Sequence, residues 1–350
     1  MFENIPEQLQ QAMSNITIKT LAEKLQVSVA TVSKALKDSH EISGITKQRV
    51  RKMAEELHYV PNLYASSLRR RKSKTIAVVL PEVADSYFSL AINGIESIAQ
   101  QKGYHVLIYL THENYLKQEA ILKDFQSGRV DGVLMSTTAE TVDHCHVQDL
   151  QASGIPIVFF DRVCEEIETA KITTNDFECG YIAGEHLIQQ GCKKIAFLSI
   201  SSSLSISNKR ADGYRQALAD HQIKFKATDI VNCKNDEAFN LTLIKKLLQS
   251  KNRPDGIIAS VEKLNTTIYL VCMDLGLNIP ADIKVMGFSN QVSAPILNPS
   301  LTTITQPAFE MGAAAAAILF KALEKPNFIL KKESMIIPSV LTVRDSTKNV

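Results

Sequence analysis

No stretch of the 350-residue chain reaches the roughly 18 consecutive apolar residues that a membrane span requires. The first residues also lack a basic region followed by a hydrophobic run, so a cytoplasmic protein with no membrane partner is expected. Cysteine is sparse. Cys145, Cys164, Cys179, Cys192, Cys233 and Cys272 stand singly, with no C-x-x-C pair and no zinc-like spacing, which points to buried reduced thiols rather than a disulfide framework. The chain contains no G-x-G-x-x-G, G-x-x-x-x-G-K-[ST], H-E-x-x-H or G-x-S-x-G, so the common cofactor and catalytic signatures are missing, and neither cofactor nor metal is expected. His144 and His146 form an H-x-H pair that could hold a metal. No carboxylate or cysteine set converges with them in sequence, which favours a pair at a surface or helix start.

What the chain does have is apolar content. Hydrophobic residues make up 45 %, enough for sizeable cores, and the length suits two or three domains. Its formal net charge of +2 hides an asymmetry. Residues 1–74 carry 13 Lys/Arg against 7 Asp/Glu, whereas the remainder is slightly acidic. A basic head on an acidic body suits a module that neutralises phosphates joined to one that does not, although mere solvation would give the same imbalance.

Residues 17 to 36 separate the two readings. Leu21, Ala22 and Leu25 share one helical face, and Val32, Ala35 and Leu36 share another, with Val27 in a tight turn between them. Ala22 is small where a second helix must cross closely, and Ser28 can cap that helix. A third helix, Ile45 to His58, completes a small core through Ile45, Val50, Met53, Ala54 and Leu57. Such a helix-turn-helix places its second helix in the DNA major groove, with the solvent side of its first turns, Val29, Ala30, Ser33 and Lys34, toward base edges. From Lys74 onward, short apolar runs alternate with amphipathic helices, the pattern of parallel sheets with crossover helices. Strands are expected at Thr75–Leu80, His105–Leu110, Gly132–Ser136, Pro156–Asp161, Lys194–Ser199, Gly256–Ser260 and Lys284–Phe288. Helices are expected near Tyr87–Gln101, Glu113–Ser127, Asp176–Gln190, Asn208–His221, Asp236–Gln249, Lys263–Leu275 and Phe309–Leu323. So long an α/β region exceeds one comfortable domain, and two similar lobes with a cleft are expected. Ligands bind at the carboxyl ends of strands in such sheets. That rule selects Asp85, Ser86, Tyr87, Phe88, Ser136, Asp161, Arg162, Ser289 and Asn290, a set suited to a polyol or sugar, because an aromatic face stacks on the ring while charged groups fork onto its hydroxyls.

Ala-Thr-Val-Ser-Lys-Ala-Leu at 30–36, followed by Tyr59-Val60-Pro61-Asn62-Leu63-Tyr64-Ala65-Ser66-Ser67-Leu68-Arg69-Arg70-Arg71-Lys72, closely resembles the lactose-repressor and galactose-repressor family of bacterial transcription regulators. Val130-Asp131-Gly132-Val133, Phe160-Asp161-Arg162, Arg210-Ala211-Asp212-Gly213-Tyr214 and Leu301-Thr302-Thr303-Ile304 look like landmarks of its core, so the resemblance spans Ile16 to Arg344. It implies an N-terminal three-helix headpiece at 16–60 after an extension at 1–15, expected to fray, and a hinge helix at 61–74. A two-lobed core similar to periplasmic sugar-binding proteins follows at 75–346, with the first lobe at 75–174 and 304–335, the second at 175–303 and 336–346, and crossings near Asn175, Thr303 and Met335. The resemblance makes Val29, Ala30 and Lys34 the readers of sequence, has Ser28, Thr31 and Ser33 hold phosphates or cap the helix, and counts Thr17 among the DNA contacts. Asn62 and Arg69 join them, Leu68 becomes a minor-groove wedge, and Ala65 is the small residue where paired hinges meet. In the cleft it adds Asn175, Arg210 and Gln306, with a salt bridge from Arg210 to Asp212 or another acid as the alternative.

Three departures stand out. Gln26 occupies the turn where the family usually has glycine, Ser289 stands where many members have an effector-anchoring aspartate, and Glu262-Lys263 replaces a frequent Asn-Asp. The expected protein is an effector-responsive transcription regulator, most often a repressor, bound as a homodimer or higher oligomer to double-stranded DNA at a pseudo-palindromic operator, with a sugar or derivative as effector. An activator or corepressor-type regulator of the same fold is the alternative, and a cofactor-binding enzyme with an appended DNA-binding domain ranks last.

Overall fold

A computed structural model describes residues 16–59, 72–140, 143–325 and 327–349. The extension 1–15 and hinge residues Asn62, Ala65, Leu68 and Arg69 lie outside the described residues. The chain divides into two compact units, Met1–Arg71 and Lys72–Val350.

In the first unit, helices α1 (Ile18–Leu25), α2 (Val29–Leu36) and α3 (Gly44–Glu56) each begin at a hydroxyl residue whose side chain accepts an otherwise orphaned backbone N–H. Thr17 accepts from the Thr20 amide at 3.3 Å, Ser28 from Thr31 at 3.0 Å and Ser43 from Thr46 at 3.3 Å. Leu21, Ala22, Leu25, Val32, Ala35, Val50 and Ala54 form the buried core, with Leu36, Met53 and Leu57 packed beside it. Ile45, expected in that core, is 75 % exposed. It occupies the first turn of α3, and Ile42, just before the helix, packs against the core.

Gln26 closes α1 in the left-handed region at φ 54° and ψ 42°, its amide donating to the carbonyls of Ala22 and Glu23. The turn therefore keeps the conformation that glycine would adopt without strain.

The second unit contains two six-stranded sheets. The first lobe is built from β1 (Thr75–Leu80), α4 (Ser86–Gln101), β2 (His105–Leu110), α5 (Tyr115–Phe125), β3 (Gly132–Met135), α6 (Cys145–Ala152), β4 (Ile157–Phe160) and β5 (Lys171–Thr173). The second lobe follows with α7 (Asp176–Gln189), β6 (Ile195–Ser199), α8 (Ser205–Asp220), β7 (Ile230–Asn232), α9 (Glu237–Gln249), β8 (Gly256–Ala259), α10 (Glu262–Leu275), β9 (Lys284–Phe288) and β10 (Thr302–Thr305). Next come α11 (Ala308–Glu324) and β11 (Met335–Ile336), both packed in the first lobe, and β12 (Val340–Thr342) in the second. The sheet orders are β11-β5-β4-β3-β1-β2 and β12-β10-β9-β8-β6-β7, parallel except for β12, which runs antiparallel to β10. Central strands such as Ile157–Phe160 and Gly256–Ala259 are buried throughout because helices cover both faces.

The seven expected strands and seven expected helices of this region form within a few residues of their anticipated ends. Helix α6 and strands β5, β7, β10, β11 and β12 were not anticipated: the strands have two to four residues and the helix only eight, too few for a clear periodicity. Two crossings move as well. Thr302–Thr305 pairs with β9 and β12, so Ile304 and Thr305 belong to the second sheet, and the passage expected at Thr303 falls at Gln306 and Pro307. Met335 and Ile336 pair with β5, which puts the last passage at 337–339.

Helices α7 and α8 touch backbone to backbone. A Cβ on Gly180 would lie 1.9 Å from the Arg210 carbonyl oxygen, and one on Gly213 would lie 1.9 Å from that of Phe177. Only glycine permits this crossing, which fixes the segment bearing Arg210. No helix among the described residues is long and apolar enough to cross a membrane.

Gln26→Gly should stabilise the isolated headpiece or full chain by up to about 1 kcal/mol, because it removes the left-handed Cβ penalty, offset in part by glycine's extra unfolded-state entropy. Urea denaturation compared at unchanged m-value reads this directly, and a loss of stability would contradict the assignment of strain to this turn.

Candidate nucleic-acid interface and ligand cleft

On the headpiece, the first turns of α2 present Ala30 and Lys34 as exposed residues and Thr31 and Ser33 as half-buried ones. Val29 is half-buried and packs against the core, so only part of its side chain remains available to a base. Ser28 and Thr31 hydroxyls lie 2.8 Å apart at the start of the helix. Lys34 pairs with Glu41, both about half exposed. Such a surface pair contributes little to stability, and the lysine can exchange its partner for a base or phosphate. Thr17, named as a DNA contact, also caps α1 in a reciprocal arrangement with Thr20.

The core cleft lies between the sheets, at the carboxyl ends of the strands, and is narrow in this structure, with a cavity of only about 50 Å³. Of the twelve cleft positions read from the sequence, Asp85, Tyr87, Phe88, Asp161, Arg162, Arg210, Ser289, Asn290 and Gln306 line it, whereas Ser86 stands outside the lining with its backbone amide on Glu262. Ser136 is outside it too. It lies behind Asp161, receives the Arg162 amide at 3.4 Å, and is fully buried. Asn175 is likewise absent from the lining: its Oδ1 accepts from the Ser339 amide at 2.9 Å, tying the first crossing to the last. Leu204, Ile206, Val261 and Phe288 are lining residues that the sequence reading missed, because nothing marks an apolar residue as facing a ligand rather than a core.

Arg210 dominates the electrostatics. Its Nε donates to Asp176 Oδ1 at 2.8 Å, its Nη1 donates to the Ser260 carbonyl at 2.7 Å, and its guanidinium lies 3.9 Å from the centre of the Phe288 ring. Asp176, not Asp212, is the acidic partner; Asp212 pairs with Arg215. The third nitrogen, Nη2, is buried with no hydrogen-bond partner, an arrangement costly enough to favour an acceptor brought by a ligand.

Burial pushes the Asp161 carboxyl up to about 6, against the pull of Arg162 and Arg210. Asp85 is also raised to about 6, by burial and the neighbouring Glu82, with Lys263 opposing. Arg162 is held by Glu113 at 2.6 Å and lies 3.9 Å from Asp161.

The two unusual positions near the cleft meet each other. Glu262 Oε2 accepts from the Asn290 amide at 2.8 Å and from the Ser289 hydroxyl at 3.2 Å, while its Oε1 accepts from the Ser86 amide of the first lobe at 2.9 Å. A carboxylate supplied from position 262 thus stands beside the serine that replaces aspartate, and it bridges the lobes. Lys263 reaches Glu82 at 3.2 Å and Lys209 reaches Glu165 at 2.8 Å across the same cleft.

A helix-turn-helix unit joined to a two-lobed parallel core with a charged cleft defines a ligand-responsive DNA-binding regulator. Residues 17–62 match the bacterial regulatory proteins of the lacI family, and residues 73–345 match the periplasmic binding proteins and sugar binding domain of the LacI family. The chain belongs to the LacI family of ligand-responsive, DNA-binding transcription regulators, which are not enzymes. It is 27 % identical to catabolite control protein A of Priestia megaterium over 95 % of this chain and 100 % of that one. The structure of a LacI family regulator from Enterococcus faecium with bound ribose shares 26 % identity over 79 % of this chain and 99 % of that one, with a TM-score of 0.70. The lac repressor dimer bound to operator and the anti-inducer ONPF shares the fold at a TM-score of 0.83, with 22 % identity over 96 % of this chain and 100 % of that one.

Asp161→Asn should be more stable than the parent chain above about pH 6, where burial opposes the charged form. Because the raised native value makes the folded state bind a proton that the unfolded state has released, the parent gains stability as pH falls from about 7 toward 4, and the gap closes. Denaturation at pH steps across this window checks the sign; a gap that widened toward acid would be contrary to it.

Proposed function

We propose that the chain acts in the cytoplasm as a homodimeric repressor of a pseudo-palindromic operator and answers to a small polyhydroxy effector of the sugar class. One observation carries the effector half: the buried Arg210 guanidinium in the cleft lining, fixed on three sides by Asp176, Ser260 and Phe288, with Nη2 unpartnered. A ligand hydroxyl or ring oxygen would satisfy that donor, with Asp161, Arg162 and Gln306 closing on its other polar groups and Phe88 and Phe288 on its apolar face. Ribose in the Enterococcus faecium relative supports the same ligand chemistry.

The dimer would set two headpieces on two half-sites, with Ala30 and Lys34 at base edges, Val29 contributing what its packing leaves free, and Ser28, Thr31 and Ser33 at phosphates. Paired hinges would wedge Leu68 at the centre of the site. The effector changes occupancy only through its different affinity for two arrangements of the lobes, and a full swing from 1:99 to 99:1 would take about 5.5 kcal/mol of preference.

Selection from random duplex DNA should enrich a single inverted repeat; a pool without one would refute the dimeric, sequence-specific reading. On that operator, screening pentoses and hexoses should find an effector. Arg210→Lys, which keeps the charge facing Asp176 but loses the fork, should weaken its effect about tenfold or more while operator affinity without effector is retained. An unchanged response would remove Arg210 from the site.

A further inference from the structure

The first lobe brings together donors that lie twenty residues apart. His144 stands at the N-cap of α6, and Cys164 and Glu166 lie in the turn after β4. His144 Nε2 is 3.4 Å from Glu166 Oε2, Cys164 Sγ donates to the same oxygen at 3.2 Å, and the three donor atoms all fall within 4.8 Å of one another. Donors arranged tetrahedrally around zinc are separated by about 3.3–3.8 Å, given metal–ligand lengths of about 2.0–2.3 Å. The spacing needs only small side-chain adjustments to reach that shape.

We propose that His144, Cys164 and Glu166 form a zinc site with water as fourth ligand. The donor set selects the metal class. One imidazole nitrogen and one sulfur are poor ligands for magnesium or calcium, which prefer all-oxygen shells, and good ones for zinc. On binding, the ion takes the place of the thiol proton, which leaves to solvent, and the thiolate and carboxylate together balance its charge. Access is open, since the Glu166 side chain is 72 % exposed and that of His144 is 27 % exposed, while the sulfur comes from a buried residue with a fixed position. Among the described residues, His144 Nδ1 is buried without a hydrogen-bond partner, so no stronger contact holds the ring away from the site.

The turn so pinned also carries Glu165, which reaches Lys209 of the second lobe at 2.8 Å. The Asp143 carboxylate caps the Cys145 amide at 3.0 Å and accepts from Tyr115 at 2.8 Å, and is therefore engaged elsewhere. The neighbouring His146 turns inward to Gln118 at 2.9 Å and takes no part.

The full-length chain, stripped with a chelator, should take up one cobalt(II) ion with a thiolate-to-cobalt charge-transfer band and tetrahedral visible absorption, and zinc should displace it. Cys164→Ser should abolish the charge-transfer band. His144→Ala, at a half-buried position, and Glu166→Gln, at an exposed one, should each weaken zinc affinity about tenfold or more in a chelator competition while thermal unfolding of the metal-free chain stays that of the parent. Cys145→Ser, at the adjacent exposed thiol, should leave the band in place. Failure to bind one ion, a band that survives Cys164→Ser, or affinity unmoved by His144→Ala and Glu166→Gln would each overturn the site.

Discussion

A guanidinium held in a dry place needs its charge answered, and the core is arranged around that requirement at Arg210. Asp176 at the start of α7 supplies the counter-charge, a carbonyl at the end of β8 takes a second donor, and the Phe288 ring at the end of β9 covers the face. Three segments of the second lobe therefore have to arrive together. They do so because α7 and α8 cross with no side chain between them, at Gly180 and Gly213. Removing one member of a buried ion pair leaves the other uncompensated, which is why cleft and helix packing cannot vary independently.

Much of this was legible from residue patterns. Apolar runs placed the central strands, since a strand covered on both faces shows no polar alternation, and Ser28 marked the start of the second headpiece helix, while the caps at Thr17 and Ser43 went unread. The strand-end rule selected Asp161, Arg162 and Ser289, all now at the cleft. What could not be read follows from short segments and long distances. β11 has two residues, which no periodicity detects, and its pairing moves a lobe boundary. Asn175 and Ser136 sit at the right ends of the right elements, yet their side chains turn to Ser339 and Asp161 respectively, a choice made by three-dimensional neighbours. Ile45 has the residue type of a core position and the wrong side of its helix.

The left-handed turn at Gln26 shows how a departure from a pattern can leave geometry intact. The conformation is enforced by the two flanking helices, so the side chain contributes strain without changing the shape that α2 presents. Ser289 is a different case. There the chemistry itself changes, and a carboxylate reappears beside it from Glu262.

That relocated carboxylate has a further meaning. An aspartate at 289 would point its oxygens toward whatever entered the cleft, whereas Glu262 spends both of its oxygens on amides and a hydroxyl of the protein, one of them in the opposite lobe. The chain thereby plays the part of its own bridging guest. An incoming effector would meet this internal bridge already in place, alongside the Lys263–Glu82 and Lys209–Glu165 pairs that also join the lobes, so a molecule that merely duplicated those contacts would have little to add.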